Sequence, residues 1–126
     1  MGFFSKKNNA SPTEANLKIN WIELDDISQL KEIKSNTKTS SIFKHSTRCG
    51  ISRMVKKQFE NGYSLNNDEM DMYYLDLLNH RDISNAISDE FNIVHESPQL
   101  IIIKNGEAIF NTSHGDINEI ELAQYI

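Results

Sequence analysis

The chain has 126 residues and a mass of 14.5 kDa, enough for one compact domain and too little for two independent cores. Hydrophobic residues make up 38% and charged residues 25%, a polar balance that still leaves Ile-rich runs to close a small core. Thirteen Lys and Arg against eighteen Asp and Glu give a net charge of −5, which argues against sequence-independent nucleic-acid binding, because that binding rests on neutralising phosphates.

No run approaches the roughly eighteen apolar residues of a membrane span, and Gly2-Phe3-Phe4 is too short for the apolar region of a signal peptide. The expectation is a cytoplasmic protein with no membrane and no nucleic-acid partner. Met1-Gly2 begins like an acylation signal, but Lys6 stands where Ser or Thr is needed. A single cysteine, Cys49, rules out an internal disulfide and a metal site of several thiolates. Any thiol chemistry must be intermolecular.

In chain order, residues 1–16 combine Lys, Asn, Ser, Thr and Pro12 with no hydrophobic period. Such a segment cannot offset its ordering entropy by burial, so a flexible arm is expected, leaving 17–126 as the domain. Trp21 to Leu24 reads as a short strand, followed by Asp25 or Asp26 as a cap and a helical stripe at Ile27, Leu30 and Ile33. Thr39 to Lys44 is β-branched and aromatic enough for a buried strand. It runs into the polar loop His45-Ser46-Thr47-Arg48 before Cys49, where a second helix opens and continues to about Glu60. Its apolar face is read as Ile51, Met54, Val55 and Phe59, and Asn61-Gly62 supplies the stop.

Met70 to Asp76 predicts a third strand, with Tyr73 and Tyr74 on opposite faces. A helix over Arg81 to Phe91 turns Ile83, Ala86, Ile87 and Phe91 inward. Leu100 to Lys104 and Glu107 to Asn111 flank Asn105-Gly106, the preferred pair for a tight turn with positive φ at both positions, so the last strands form an antiparallel hairpin. A closing helix carries Ile117, Ile120, Leu122, Ala123 and Tyr125. The order βαβαβαββα predicts an α/β protein with a mixed sheet covered on both faces. With a cysteine opening the second helix, this suggests a thioredoxin-like three-layer sandwich, although other α/β folds share parts of the order.

Cys49 is the centre of the predicted chemistry. At a strand–helix junction, the unpaired first-turn N–H groups and the helix dipole favour a thiolate, and Arg48, with Lys44 and His45 nearby in sequence, adds positive charge. The alternative is a buried structural cysteine, the commoner fate of a lone thiol; the polar, cationic loop before Cys49 argues for the reactive reading. Ser52 stands three residues on, at the spacing of a redox Cys-x-x-Cys with the second thiol replaced by a hydroxyl. That hydroxyl cannot resolve a mixed disulfide but can donate a hydrogen bond to a thiolate; the plainer reading is a first-turn helix residue. Ser97-Pro98 precedes the fourth strand. A cis bond there would offer the Ser97 N–H and C=O to an extended substrate, whereas a proline before a strand is more often a trans turn. His45, His80, His95 and His114 fall in four segments with no ligand spacing, so no metal is expected. His45 is read either as tuning the thiol or as a solvated loop residue, and Asp68, Glu69, Asp71 and Asp76 as solvated or ion-paired.

Phe43-Lys44-His45-Ser46-Thr47-Arg48-Cys49 with Ile51-Ser52, and His95-Glu96-Ser97-Pro98-Gln99, resemble the active-site loop and cis-proline segment of the YtxJ-like monothiol bacilliredoxins. The resemblance runs from about Trp21 to Ile126; Gly50 departs from it, at a position where related proteins have Pro or another residue. It implies a thioredoxin-like fold with no bound cofactor and, as co-substrate, bacillithiol or another low-molecular-weight thiol. It implies that Cys49 takes the thiol from S-thiolated client proteins and is regenerated by another thiol, and that a cis Pro98 lines the substrate groove. On this reading Cys49 and Ser52 are the catalytic candidates, and Arg48, Lys44, Thr47, Ser97 and Pro98 the substrate-binding ones. The competing class is a thioredoxin-fold module that binds an extended peptide at Ser97-Pro98 without redox turnover.

Overall fold

The computed structural model describes residues 19–66 and 68–126; the arm expected over 1–16 lies outside them. Five strands form one mixed sheet in the order β1-β3-β2-β4-β5. The strands are β1 (Ile22–Glu23), β2 (Ser40–His45), β3 (Asp71–Asp76), β4 (Gln99–Lys104) and β5 (Glu107–Ser113). Between them run α1 (Gln29–Ser35), α2 (Gly50–Gly62) and α3 (Arg81–Phe91). β3 pairs in parallel with β1 and β2, while β4 is antiparallel to both β2 and β5.

β2 is the central strand, and all six of its residues are buried. Its side chains alternate between two cores, as the period of a strand requires. Ile42, Tyr73 and Ile101 join Leu30 and Ile33 of α1 and Ile83, Ile87 and Phe91 of α3 on one face. Phe43, Met72, Leu100 and Ile102 join Val55 and Phe59 of α2 with Ile117 and Leu122 on the other. Tyr73 and Tyr74 take opposite faces as expected: Tyr73 enters the first core, and Tyr74 lies near Trp21 and His45. Asn105 and Gly106 both have positive φ, 55° and 80°, the tight turn that Asn-Gly favours. A Cβ on Gly106 would stand 3.0 Å from the Lys34 carbonyl oxygen, so that position needs glycine for space as well as conformation.

Three expectations about elements are corrected. α1 begins only at Gln29, which leaves Ile27 half exposed rather than on its inner stripe. In α2, Ser52, Val55 and Phe59 face inward, whereas Ile51 and Met54 are 60% and 54% exposed. The sheet covers one narrow stripe of this helix, and Ser52 holds its first-turn position. The closing α-helix is two 3-10 turns, His114–Glu119 and Leu122–Tyr125. Ile120 between them is extended, at φ −74° and ψ 142°. The segment is too short and too rich in Gly, Asp and Asn to hold an α-helix by itself, and the break lets both Ile117 and Leu122 reach the second core. The Thr39 hydroxyl donates to the Tyr125 carbonyl at 2.7 Å and ties this end of the chain to the start of β2. Among the described residues no helix is long and apolar enough to cross a membrane.

Candidate active site

The site forms where β2, β3 and β4 meet at one end of the sheet. His45 closes β2 opposite Asp76 of β3, and Lys44 pairs with Gln99, the first residue of β4. The loops that follow β2 and β3 and the segment that precedes β4 are therefore neighbours. A backbone hydrogen bond from Leu77 N–H to the His45 carbonyl, 3.1 Å, joins the first two.

Cys49 ends the loop after β2 and caps α2 in an extended conformation, φ −101° and ψ 120°. Its N–H donates to the Ser46 carbonyl at 3.2 Å and its carbonyl accepts from Arg53 N–H at 3.0 Å, so the backbone is pinned on both sides. The thiol is partly exposed. No side chain caps α2 and no acidic residue occupies its first turn, which leaves the first-turn N–H groups open beside the sulfur. Arg53 reaches back to the loop, donating from Nη1 to the Thr47 carbonyl at 3.0 Å. Thr47 and Arg48 are exposed. A Cβ on Gly50 would meet only the end of the Arg53 side chain, at 3.9 Å, so the loop geometry does not depend on glycine there.

Ser52 acts on the loop rather than on the sulfur. Its hydroxyl is buried, lies 2.7 Å from His45 Nδ1 and accepts from Ser46 N–H at 3.1 Å; among the described residues no hydrogen bond joins it to Cys49. His45 is thus neither on the loop nor solvated: it is the buried last residue of β2. Burial, with Lys56 and Arg53 nearby, holds its imidazole below the ordinary histidine range against the opposing pull of Asp76 and Glu60. A neutral ring can accept the Ser52 proton at Nδ1, and the triad His45–Ser52–Ser46 then fixes the turn that presents Cys49.

Lys44 belongs to β2, as the sequence predicts, and it is fully buried. Its Nζ lies 2.6 Å from His95 Nδ1, with the Ser84 hydroxyl 3.4 Å from the same nitrogen. Among the described residues no salt bridge reaches it, and burial pushes the Lys44 amine down to about 8. Burial, followed by the positive charge of Lys44, likewise lowers His95, which leaves the imidazole neutral to accept from the ammonium. The sequence offers His95 only as the start of the segment around Pro98 and gives no sign of its bond to Lys44 or of Ser84. The nearest signal was a lysine near the end of a buried central strand, which must find a partner there.

Ser97-Pro98 stands directly before β4, and its peptide bond is cis. The Pro98 carbonyl accepts from His114 N–H at 3.0 Å. Among the described residues no intramolecular hydrogen bond engages the Ser97 N–H or C=O, so both remain available to an extended chain. The strand register brings this segment to the same end of the sheet as Cys49. Among the described residues no group of three His, Cys, Asp or Glu side chains is arranged to hold a metal ion.

A family profile described as monothiol bacilliredoxin BrxC matches residues 22–122. The chain belongs to the monothiol bacilliredoxin family. Among solved structures it is similar to a candidate oxidoreductase with a thioredoxin fold, at 39% identity and a TM-score of 0.71, over 83% of this chain and 92% of that one. Two thioredoxins share the fold. One from Malassezia sympodialis has 24% identity, a TM-score of 0.65, and coverage of 82% and 88%; one from Nicotiana alata has 15% identity, a TM-score of 0.67, and coverage of 94% and 98%. The bacilliredoxin-family chain thus has the thioredoxin-like α/β fold expected from its element order, and its membership makes it a thiol oxidoreductase.

Proposed function

We propose that this protein removes a low-molecular-weight thiol, bacillithiol or one chemically like it, from S-thiolated client proteins in the cytoplasm by a monothiol route through Cys49. The thiolate of Cys49 attacks the small thiol's sulfur in the mixed disulfide. A new S–S bond forms between them, the old one breaks, and its electron pair leaves on the client sulfur, which takes a proton from water. The client is reduced and Cys49 is oxidised to the S-thiolated form. A second thiolate then attacks that disulfide, leaves joined to the small thiol, and returns Cys49 to its reduced state.

One observation carries this reading: the sole cysteine caps α2 in the family's loop, with a hydroxyl and no thiol one turn on. No internal disulfide can enter the cycle. Arg48 and Thr47 flank the entering substrate, and Ser97 and Pro98 supply an edge for the client backbone. Ser52 and Lys44 serve as positioning residues, the first through His45 and the second through His95.

The test is the mass of the reduced protein after incubation with a bacillithiolated peptide. The expected product is one bacillithiol adduct per chain, cleared by added thiol and absent in Cys49→Ser. If Cys49 alkylates readily but no adduct forms with any low-molecular-weight mixed disulfide, the redox reading fails. Peptide binding retained in Cys49→Ser would then establish the competing binding module.

A further inference from the structure

Beside Cys49 the surface opens into a cleft of about 290 Å3 lined by Thr47, Arg48, Leu78, Asn79 and Arg81. Thr47 and Arg48 come from the segment that ends at Cys49, Leu78 and Asn79 from the β3–α3 turn and Arg81 from the start of α3; the Leu77–His45 backbone hydrogen bond holds the turn against the loop. A second cleft of about 130 Å3, lined by Leu77, Arg81, Ser84, Asn85 and His95, adjoins it through Arg81. In a chain with net charge −5 this corner is cationic. Among the described residues neither Arg48 nor Arg81 has a carboxylate within salt-bridge distance. Asp76, at the root of the turn, has both oxygens occupied, by Leu78 N–H at 3.3 Å and Asn79 Nδ2 at 2.8 Å. The buried amine of Lys44, bonded to His95, lies behind the second cleft.

We infer that this cleft holds the carboxylate-bearing arm of the low-molecular-weight thiol, with Arg48 and Arg81 as its anion-binding pair. The inference rests on the proposed exchange and adds which half of the mixed disulfide lies where. Guanidinium groups pair with carboxylates through two parallel N–H donors. Their position one residue before Cys49 and across the loop sets the sulfur of a short anionic thiol against the Cys49 sulfur. The client chain is left to the Ser97 edge. Of the two sulfurs in the mixed disulfide, attack therefore falls on that of the small thiol: the Cys49–small-thiol bond forms and the client sulfur leaves with the electron pair. The same site selects for thiols that carry negative charge.

One peptide linked through its cysteine to mercaptosuccinate, a dicarboxylate, or to thioglycerol, which is neutral, tests the selection. The wild-type preference for mercaptosuccinate should fall roughly three- to tenfold in the Arg48→Gln/Arg81→Gln double variant. Mass spectrometry should show the adducts on Cys49 shifting from the small thiol towards the peptide. Lys104→Gln, which removes one positive charge at the far end of β4, should leave both readouts as they are. An unchanged preference in the double variant, or an equal fall in Lys104→Gln, would overturn the inference. S-methyl mercaptosuccinate, which cannot exchange, reads the cleft without the reaction. Its titration should shift the backbone amides of Arg48, Leu78 and Asn79 in the wild type and not in the double variant. Those shifts without any Cys49 adduct would sink the exchange reading and leave the anion site standing; their absence would sink the anion site even if exchange proceeds.

Discussion

β2 ends in two polar residues that face opposite ways, and the two faces solve the same burial problem differently. Ile42 and Phe43 sit in dry cores on either side of the sheet. The next pair, Lys44 and His45, continues along those faces with ionisable groups. On the α2 face, His45 is closed in a neutral hydrogen-bonded network with Ser52 and Ser46. On the α3 face, Lys44 keeps a cationic amine against a neutral imidazole, and among the described residues no salt bridge balances it. A neutral, satisfied network fixes geometry, whereas an unbalanced cation raises the local potential. One face therefore sets the shape of the Cys49 loop, and the other adds positive charge behind the two arginines.

The sharpest way to break this division is Ser52→Ala. It leaves His45 Nδ1 and the Ser46 N–H without their partner, and should cost about 1–3 kcal/mol in denaturant unfolding. The variant should still form the Cys49 adduct, but more slowly, because the loop loses its fixed turn while the nucleophile remains. An unaltered stability would show that the network does not hold the loop.

Lys44→Met addresses the other face through pH. The folded amine titrates at about 8 and the unfolded one near its ordinary value of 10.5, so between those values the unfolded chain binds more protons and stability rises with pH. Below about 8 the buried charge imposes its full cost. The stability of Lys44→Met relative to the wild type should therefore be greatest near neutral pH and shrink as pH rises through 8 towards 10. Burial raises the Tyr63, Tyr73 and Tyr74 hydroxyls above their ordinary value, and both proteins carry them, so their titration cancels in the difference. A pH-independent difference between the two proteins would remove the charged-amine account.

The smallest effect belongs to Ile51→Gln, on the same first turn of α2 as Ser52 but facing outward. It should change stability by less than about 0.5 kcal/mol. A loss comparable to that of Ser52→Ala would mean that Ile51 is covered in the folded protein.

Much of the site was legible locally. Cys49 at a strand–helix junction, Ser52 one turn later and Ser97-Pro98 before β4 are signals carried within a few residues, and the fold brings all of them to one end of the sheet. The roles were less legible than the places. A hydroxyl three residues after a cysteine suggests a hydrogen bond to sulfur, yet His45, buried seven residues earlier, takes it instead. Lys44 was legible as a strand residue, but nothing local showed that its amine meets His95 rather than adding to the Cys49 loop.

The sequence by itself determined the order of elements, the Asn105-Gly106 turn, the alternating faces of β2 to β4 and the absence of a second thiol. Each follows from residue chemistry acting over one turn or one strand. Tertiary structure alone decided which stripe of α2 is buried and that the chain ends in 3-10 turns. It also decided that Lys44 meets His95, 51 residues away, and that Arg81 stands across a cleft from Arg48. Those outcomes depend on which surfaces the sheet order brings together, and a side chain's burial, charge partner and accessible ligand are properties of the facing element as much as of its own.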